Sequence, residues 1–453
     1  MACSAPEALR DRRWMPLIPV VRRGAWPGLS RPRLVVVVLL AFVLAGCSGL
    51  GRSFEQVEDE LTRGNVDAAL ERLQPMSGSR LNQALFEMNR GMLLRHKGDL
   101  EGSVAAFELA KSEIGALEPI SLSETLATWT VTETAGSYTP PVHEHLMLHA
   151  FQLLNYLELG QLDAARVEAL QIDLGLRRVD PATGAAPDGG DAFARHVSGL
   201  AFEANGDWSD AMIAYRHAFN AYRRGNAPIP RDLQRSLVRL SDHLQLTEER
   251  DRYIEAFGID EWEPMRRNRE QGMLIVVVQD GLGPRLEERT AVVAVAADQF
   301  VRVSLPALRA RPTGLNGARI AANGQWVETD TAEVVSRTAD RWLERQMPAL
   351  TTRSIARNVA RYGATERARQ ESPLLGLAVN IAGLLLEQSD TRIWRTLPDK
   401  VYLARIDLPP GSRTVDMEFV GAGGRTLTSE QRSIDLRAGQ PTVLTGFWLG
   451  PRS

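Results

Sequence analysis

Three of the chain's seven histidines fall in one stretch beside a carboxylate, His143-Glu144-His145-Leu146-Met147-Leu148-His149. A zinc protease needs His-Glu-x-x-His, two imidazoles one helical turn apart with the glutamate as base. Here Met147 stands where the second histidine is required. His145 and His149, four residues apart, share one face of a helix and could hold a metal with one carboxylate from elsewhere. That face runs on through Gln152 and Tyr156, a polar stripe at helical spacing suited to solvent or to a groove. No G-x-S-x-G, Walker loop or C-x-x-C stands out, and no linear order of Ser, His and Asp marks a triad. The residues point to a protein that is not an enzyme and needs no cofactor or metal. A metal-dependent hydrolase centred on 143–149 is the weaker alternative.

The other reactive group is a thiol. Arg22, Arg23, Arg31 and Arg33 precede thirteen uncharged residues, 34–46, whose last three, Leu44-Ala45-Gly46, stand directly before Cys47. This is the basic, apolar, small-residue order of a secretory signal, and thirteen residues are fewer than the ~20 a spanning helix needs. The stretch resembles a bacterial lipobox, which implies removal of residues 1–46, diacylglyceryl transfer to Cys47 and a short tether, 47–53. Each buried methylene contributes about 0.8 kcal/mol, so two or three acyl chains hold durably to a leaflet. Cys3 lies in the discarded part, so Cys47 is the sole mature thiol and no disulfide is expected.

The whole chain of 453 residues has a net charge of −3, and residues 47–453 carry an acidic excess of about eight. That argues against a nucleic-acid partner, which needs a concentrated basic face. Lys97, Lys111 and Lys400 are the only lysines. The length after processing suits two or three domains.

The stripe must be carried by helices. From 54 to 258 the period is helical, and Gly64-Asn65, Gly98-Asp99, Gly160-Gln161 and Gly206-Asp207 punctuate it; the first interval is the 34 residues of a tetratricopeptide unit. The second unit keeps Gly91, Gly98, Leu100, Phe107 and Ala110. The fourth keeps Gly199, Phe202, Gly206, Trp208, Ala211, Tyr215 and Ala218. Glycine and alanine let paired helices approach, while the aromatics fill the space between them. The third and first units are more degenerate, and insertions at 118–141 and 180–190 lengthen the later intervals. A single capping helix is expected over 242–257.

Residues 259–271, with Pro264, read as a linker to a β-rich domain, 272–453. Strand runs at 273–278, near 293 and 301, and at 401–407, 413–420, 431–436 and 442–448 are separated by Gly and Pro turns. Gly281-Leu282-Gly283-Pro284 lacks the third glycine of a dinucleotide loop and reads as a tight turn. A helical insertion is expected over 331–388, within which 374–386 is apolar but too short to span a membrane. The fold class is multidomain α + β: a tetratricopeptide-like array, then an antiparallel β-sandwich-like domain with inserted helices.

Several segments together resemble the tetratricopeptide-type lipoproteins of the Gram-negative outer membrane. They are Gly136-Ser137-Tyr138, His143-Glu144, Leu153 through Gly160, Ala165-Arg166-Val167-Glu168, Asp390 through Pro398, and Leu403-Ala404-Arg405. The resemblance implies a lipid-anchored protein facing the periplasm, often encoded beside lipoproteins similar to penicillin-binding-protein activators. Its expected partners are envelope proteins, with Tyr138, His143, His145, His149, Gln152 and Tyr156 as candidate contacts. A second reading gives the β domain a glycan or lipid ligand, with Trp394 and Trp448 as stacking platforms.

Overall fold

A computed structural model describes residues 49–117, 136–176, 190–265, 270–296, 299–322, 324–372 and 388–451. The signal segment, Cys47, the apolar run 374–386 and most of both insertions lie outside the described residues. Residues 48–453 form one compact unit.

The helical part is built from hairpins: α1 Gly49–Thr62 with α2 Val66–Leu73, α3 Gln83–Lys97 with α4 Leu100–Leu117, and α5 Val142–Glu158 with α6 Leu162–Leu176. Two more follow, α7 Asp191–Asn205 with α8 Trp208–Arg224 and α9 Arg231–His243 with α10 Thr247–Phe257. Gly98 and Gly206 end α3 and α7 in left-handed backbone, at φ 85° and 82°, and their N–H groups return to carbonyls of the last turn. That conformation costs a side-chain-bearing residue about 1–2 kcal/mol and glycine almost nothing.

Within α3/α4 a Cβ on Gly91 would collide with the Phe107 ring, and within α7/α8 one on Gly199 would collide with the Tyr215 ring. The paired helices thus approach at just these glycines, with Ala110, Ala211 and Ala218 fully buried beside them. Trp208 is half-buried, its ring edge-on to His243 of α9. Where a single capping helix was expected, α9 and α10 form a further hairpin. Its turn carries no glycine; Gln245 adopts φ 58° in its place.

The strands are β1 Gly272–Asp280, β2 Arg285–Ala296, β3 Gln299–Arg309, β4 Leu315–Ala322, β5 Gln325–Glu328, β6 Asp330–Val334, β7 Lys400–Leu408, β8 Gly411–Gly421, β9 Thr426–Leu436 and β10 Pro441–Trp448. They form two four-stranded sheets, β10-β1-β7-β6 and β5-β4-β8-β9, and the separate hairpin β2-β3. The first sheet corrects the antiparallel expectation, because β10 lies parallel to β1, with Val276 opposite Leu444. Parallel pairing needs a long crossover, here supplied by the whole chain between the two strands. The strand near 301 is β3, which among the described residues pairs with β2 alone. Residues 331–334, read as helical, belong instead to β6 and pair with β7, and the helix α11 spans Val335–Glu371.

Every residue of β1 is buried. Met273, Ile275 and Val277 join the core of the helical array, together with Val401 and Leu403 of β7, Trp394 and Leu397. Leu274, Val276 and Val278 face the second sheet, against Leu315, Ile320, Val415, Met417 and Phe419. One sheet is therefore shared between two cores. The β2-β3 hairpin packs on α11 through Leu286, Leu343 and Ile393. Among the described residues no helix is long and apolar enough to cross a membrane.

Candidate functional site

The polar stripe of α5 lines a groove of about 590 Å³ between α4 and α6. Its walls include Glu108, Lys111 and Ser112 of α4, His145, His149 and Tyr156 of α5, and Val167, Glu168 and Gln171 of α6. Spacing of four and seven along α5 brings His145, His149, Gln152 and Tyr156 to one side of the helix. The neighbouring hairpins supply the charges that the stripe meets.

His149 Nδ1 lies 2.6 Å from Glu168 Oε2, so this nitrogen carries the proton it shares with the carboxylate. Lys111 Nζ reaches the other Glu168 oxygen at 2.6 Å and Glu108 at 2.7 Å. Gln152 Nε2 donates to Glu108 at 2.9 Å, and the Tyr156 hydroxyl donates to the same oxygen at 3.1 Å. The His145 and His149 rings lie 4.9 Å apart. Burial works against the Glu168 charge, yet the His149 hydrogen bond and the Lys111 charge hold its carboxyl below the usual range. Burial, reinforced by Glu108, pushes the Tyr156 phenol up to about 12, so it stays a neutral donor.

A carboxylate-oriented imidazole can act as a general base, but no Ser, Thr or Cys is hydrogen-bonded to His149 among the described residues. Nor do the described residues contain any group of three or more His, Cys, Asp and Glu placed to hold a metal ion. What the groove offers is a mixed set of donors and acceptors. Its apolar lining is Ile114, Ala164 and Val167, the last 50% exposed. Lys111, Glu108 and Glu168 were missed as site residues; the Glu-x-x-Lys spacing of 108–111 is the one local signal they leave.

Tyr138, His143 and Gln152 correct the contact assignment. Tyr138 and His143 are only 4% exposed and Gln152 is wholly buried, so none of the three can meet a partner in this fold. Burial beside Arg345 drops the His143 imidazole to about 3, so it is neutral, and its ring lies 5.7 Å from that of Trp342 in α11. The Tyr138 hydroxyl donates to Glu144, whose second oxygen accepts the Trp394 N–H at 2.9 Å. Trp394 is 1% exposed, so it is no stacking platform, and Trp448 is half-buried against Phe419.

Residues 390–398 run between array and sheet as a clamp. Arg395 forms a two-pronged pair with Glu58 of α1 at 2.6 and 3.0 Å, and Thr396 donates to Asn89 of α3 through backbone and hydroxyl. In β7, Arg405 meets Glu203 of α7 at 2.8 Å; Arg239 and the Tyr215 hydroxyl hold the same carboxylate at 2.8 and 2.9 Å. Burial opposes the Glu203 charge, but Arg239 and Arg405 bring its carboxyl down to about 2.

The chain is thus of mixed helix and sheet, with its helical part a tetratricopeptide-like array fused to a β unit through one sheet. No protein-family model matches the chain. No curated protein sequence matches it either. Among solved structures it is similar to MamA 41-end from Desulfovibrio magneticus RS-1, 17% identical over 47% of this chain and 97% of that one, with a TM-score of 0.30. A Podosopora anserina putative kinesin light chain of nearly identical TPR-like repeats is 13% identical over 46% of this chain and 92% of its own, also at 0.30. At such scores the likenesses carry no weight, and the array rests on its own glycine–aromatic contacts.

Proposed function

We propose that the protein is a non-enzymatic scaffold of the cell envelope. Acylated Cys47 tethers it, facing the periplasm, to the outer membrane, and the α4–α6 groove binds a segment of another envelope protein. The observation that carries this reading is the groove itself: half-buried Tyr156, paired charges and the apolar Ile114, Ala164 and Val167 line one cavity. Arrays of helical hairpins present such surfaces to peptide segments. A partner segment with an apolar anchor flanked by polar groups matches Val167 beside Lys111, His145 and Tyr156. By the resemblance of residues 390–398 and 403–405, that partner belongs to the machinery regulating peptidoglycan synthesis.

The test is a photo-crosslinking residue in place of Tyr156, in living cells. A discrete crosslinked partner that vanishes with Lys111→Glu supports the groove. Absence of any adduct, or an adduct indifferent to Lys111→Glu, sinks it. Anchoring is tested separately: Cys47→Ser should abolish incorporation of an alkyne-tagged fatty acid, and retained label would refute lipidation there.

A further inference from the structure

A second cavity, of about 550 Å³, opens where the array meets the sheets, well away from the α4–α6 groove in sequence. Its walls come from the start of α7, the end of α8, β6, the first two turns of α11, and β7. Apolar surface comes from Ala192, Ala221, Pro228 and Ala332, with the rings of Tyr222 and Tyr402. Both phenols are already spent, on the carbonyls of Ala332 and Leu315 at 2.9 Å. They act as walls, not as ligand donors.

The charges do not balance. Arg224, Arg337, Arg341 and Lys400 line the cavity against only Asp191 and Glu333. Asp191 is already held by Arg224 at 2.9 Å. Glu333 is 8% exposed and is satisfied by the Thr338 hydroxyl at 2.8 Å and by the Val334 N–H. Lys400 comes no closer than 3.8 Å to Asp280. Neither Arg337 nor Arg341 has a carboxylate within salt-bridge distance among the described residues; the Arg341 charge acts on buried Glu333 from farther off, and Arg341 Nε is buried without a hydrogen bond. The two are four apart on α11, so like charges sit one above the other, a destabilising arrangement unless an anion lies between them.

We infer that this cavity binds a small ligand carrying a doubly charged oxyanion, phosphate or dicarboxylate, on a compact apolar body. Planar guanidiniums offer paired donors to such a group, and the alanine, proline and tyrosine walls would cover the rest. The site is independent of the peptide groove. Its failure would leave the scaffold reading untouched, and the reverse also holds.

The test is calorimetric titration of the full processed chain with phenyl phosphate, phthalate and benzoate at pH 8. Phenyl phosphate tighter than phthalate marks a phosphate site, the reverse order marks a dicarboxylate site, and benzoate should bind least. Arg337→Ala with Arg341→Ala should weaken the preferred probe by about tenfold or more. Because Arg341 is partly buried, exposed Arg337→Glu alone serves as a second variant, expected to weaken binding with the melting temperature unchanged. The inference is overturned if no dianion binds the unmodified chain at about 10 mM. Binding that both variants retain, or benzoate binding as tightly as the dianions, overturns it equally.

Discussion

At the scale of single residues, two glycines in helices of the same α3/α4 hairpin should respond oppositely to one added methyl. Gly91 is in contact with the Phe107 ring wherever a Cβ would go, whereas Gly115 has nothing within 4 Å of that position. Gly91→Ala must displace a fully buried ring and should destabilise by about 1–3 kcal/mol. Gly115→Ala gains helix propensity and should stabilise by roughly 0.5–1 kcal/mol. Chemical denaturation of the pair reads both signs, and an unchanged midpoint for Gly91→Ala would disprove the close approach. Glu144 gives a pH signature. Burial raises its carboxyl from the ordinary 4.5 to about 7, against the lowering effect of the Trp394 and Tyr138 hydrogen bonds. The folded chain then holds a proton that the unfolded chain has released, so this contribution is full below pH ~4.5 and is lost as pH rises through ~7. Glu144→Gln, neutral throughout, should flatten the stability profile across that window by roughly 2–4 kcal/mol relative to the parent. Parallel profiles for the two proteins would show that Glu144 titrates normally.

At the scale of elements, legibility followed how each turn and face is specified. Gly64, Gly98, Gly160 and Gly206 all take positive φ, so the residue type that marked four turns in the sequence is the type those turns need. The α9/α10 turn was invisible for the complementary reason, since Gln245 bears the same backbone strain with no glycine to announce it. Gln245→Gly should relieve that strain and stabilise by about 0.5–1 kcal/mol, less than the full left-handed penalty because glycine costs more chain entropy. A destabilised variant would mean that the Gln245 side chain contributes more than its exposed bond to the Asp242 carbonyl at 3.2 Å. The groove was half legible: the α5 stripe is periodic along one helix, but Glu168 and Lys111 meet it from two other helices. The clamp was recognisable only as a run of polar and aromatic residues. Its partners Glu58, Asn89 and Glu144 lie more than 200 residues away in sequence. Strands β4 and β5 escaped notice because Gly314, Gly317 and Gly324 punctuate them.

At the scale of the whole molecule, the decisive feature is that β1 and β7 belong to both halves. Sequence composition changes near residue 265, yet the core does not end there. Met273, Ile275, Val277, Val401 and Leu403 present one sheet face to the helices, and Trp394 and Leu397 fill the seam; all are at most 9% exposed. At about 1.5–3 kcal/mol for each such side chain, the face is worth roughly 10–20 kcal/mol as an upper bound. That equals or exceeds the ~5–15 kcal/mol net stability of an ordinary domain. The polar contacts point the same way. Removing residues 266–453 would strip Glu203 of Arg405 and Glu58 of all three of its arginines. The segment 48–265 produced alone should therefore aggregate or lack a cooperative melt. The intact 48–453 unit should unfold in one transition, with helix-sensitive circular dichroism and the strand band of amide-I infrared absorption coinciding. A soluble, cooperatively melting 48–265 monomer, or two separated transitions in the intact unit, would show that the array stands without the sheet. Coincident transitions would mean that an event in the α4–α6 groove and one at the sheet act on a single cooperative body, since Arg95, between α5 and β10, bonds Asn155 and Thr445 alike.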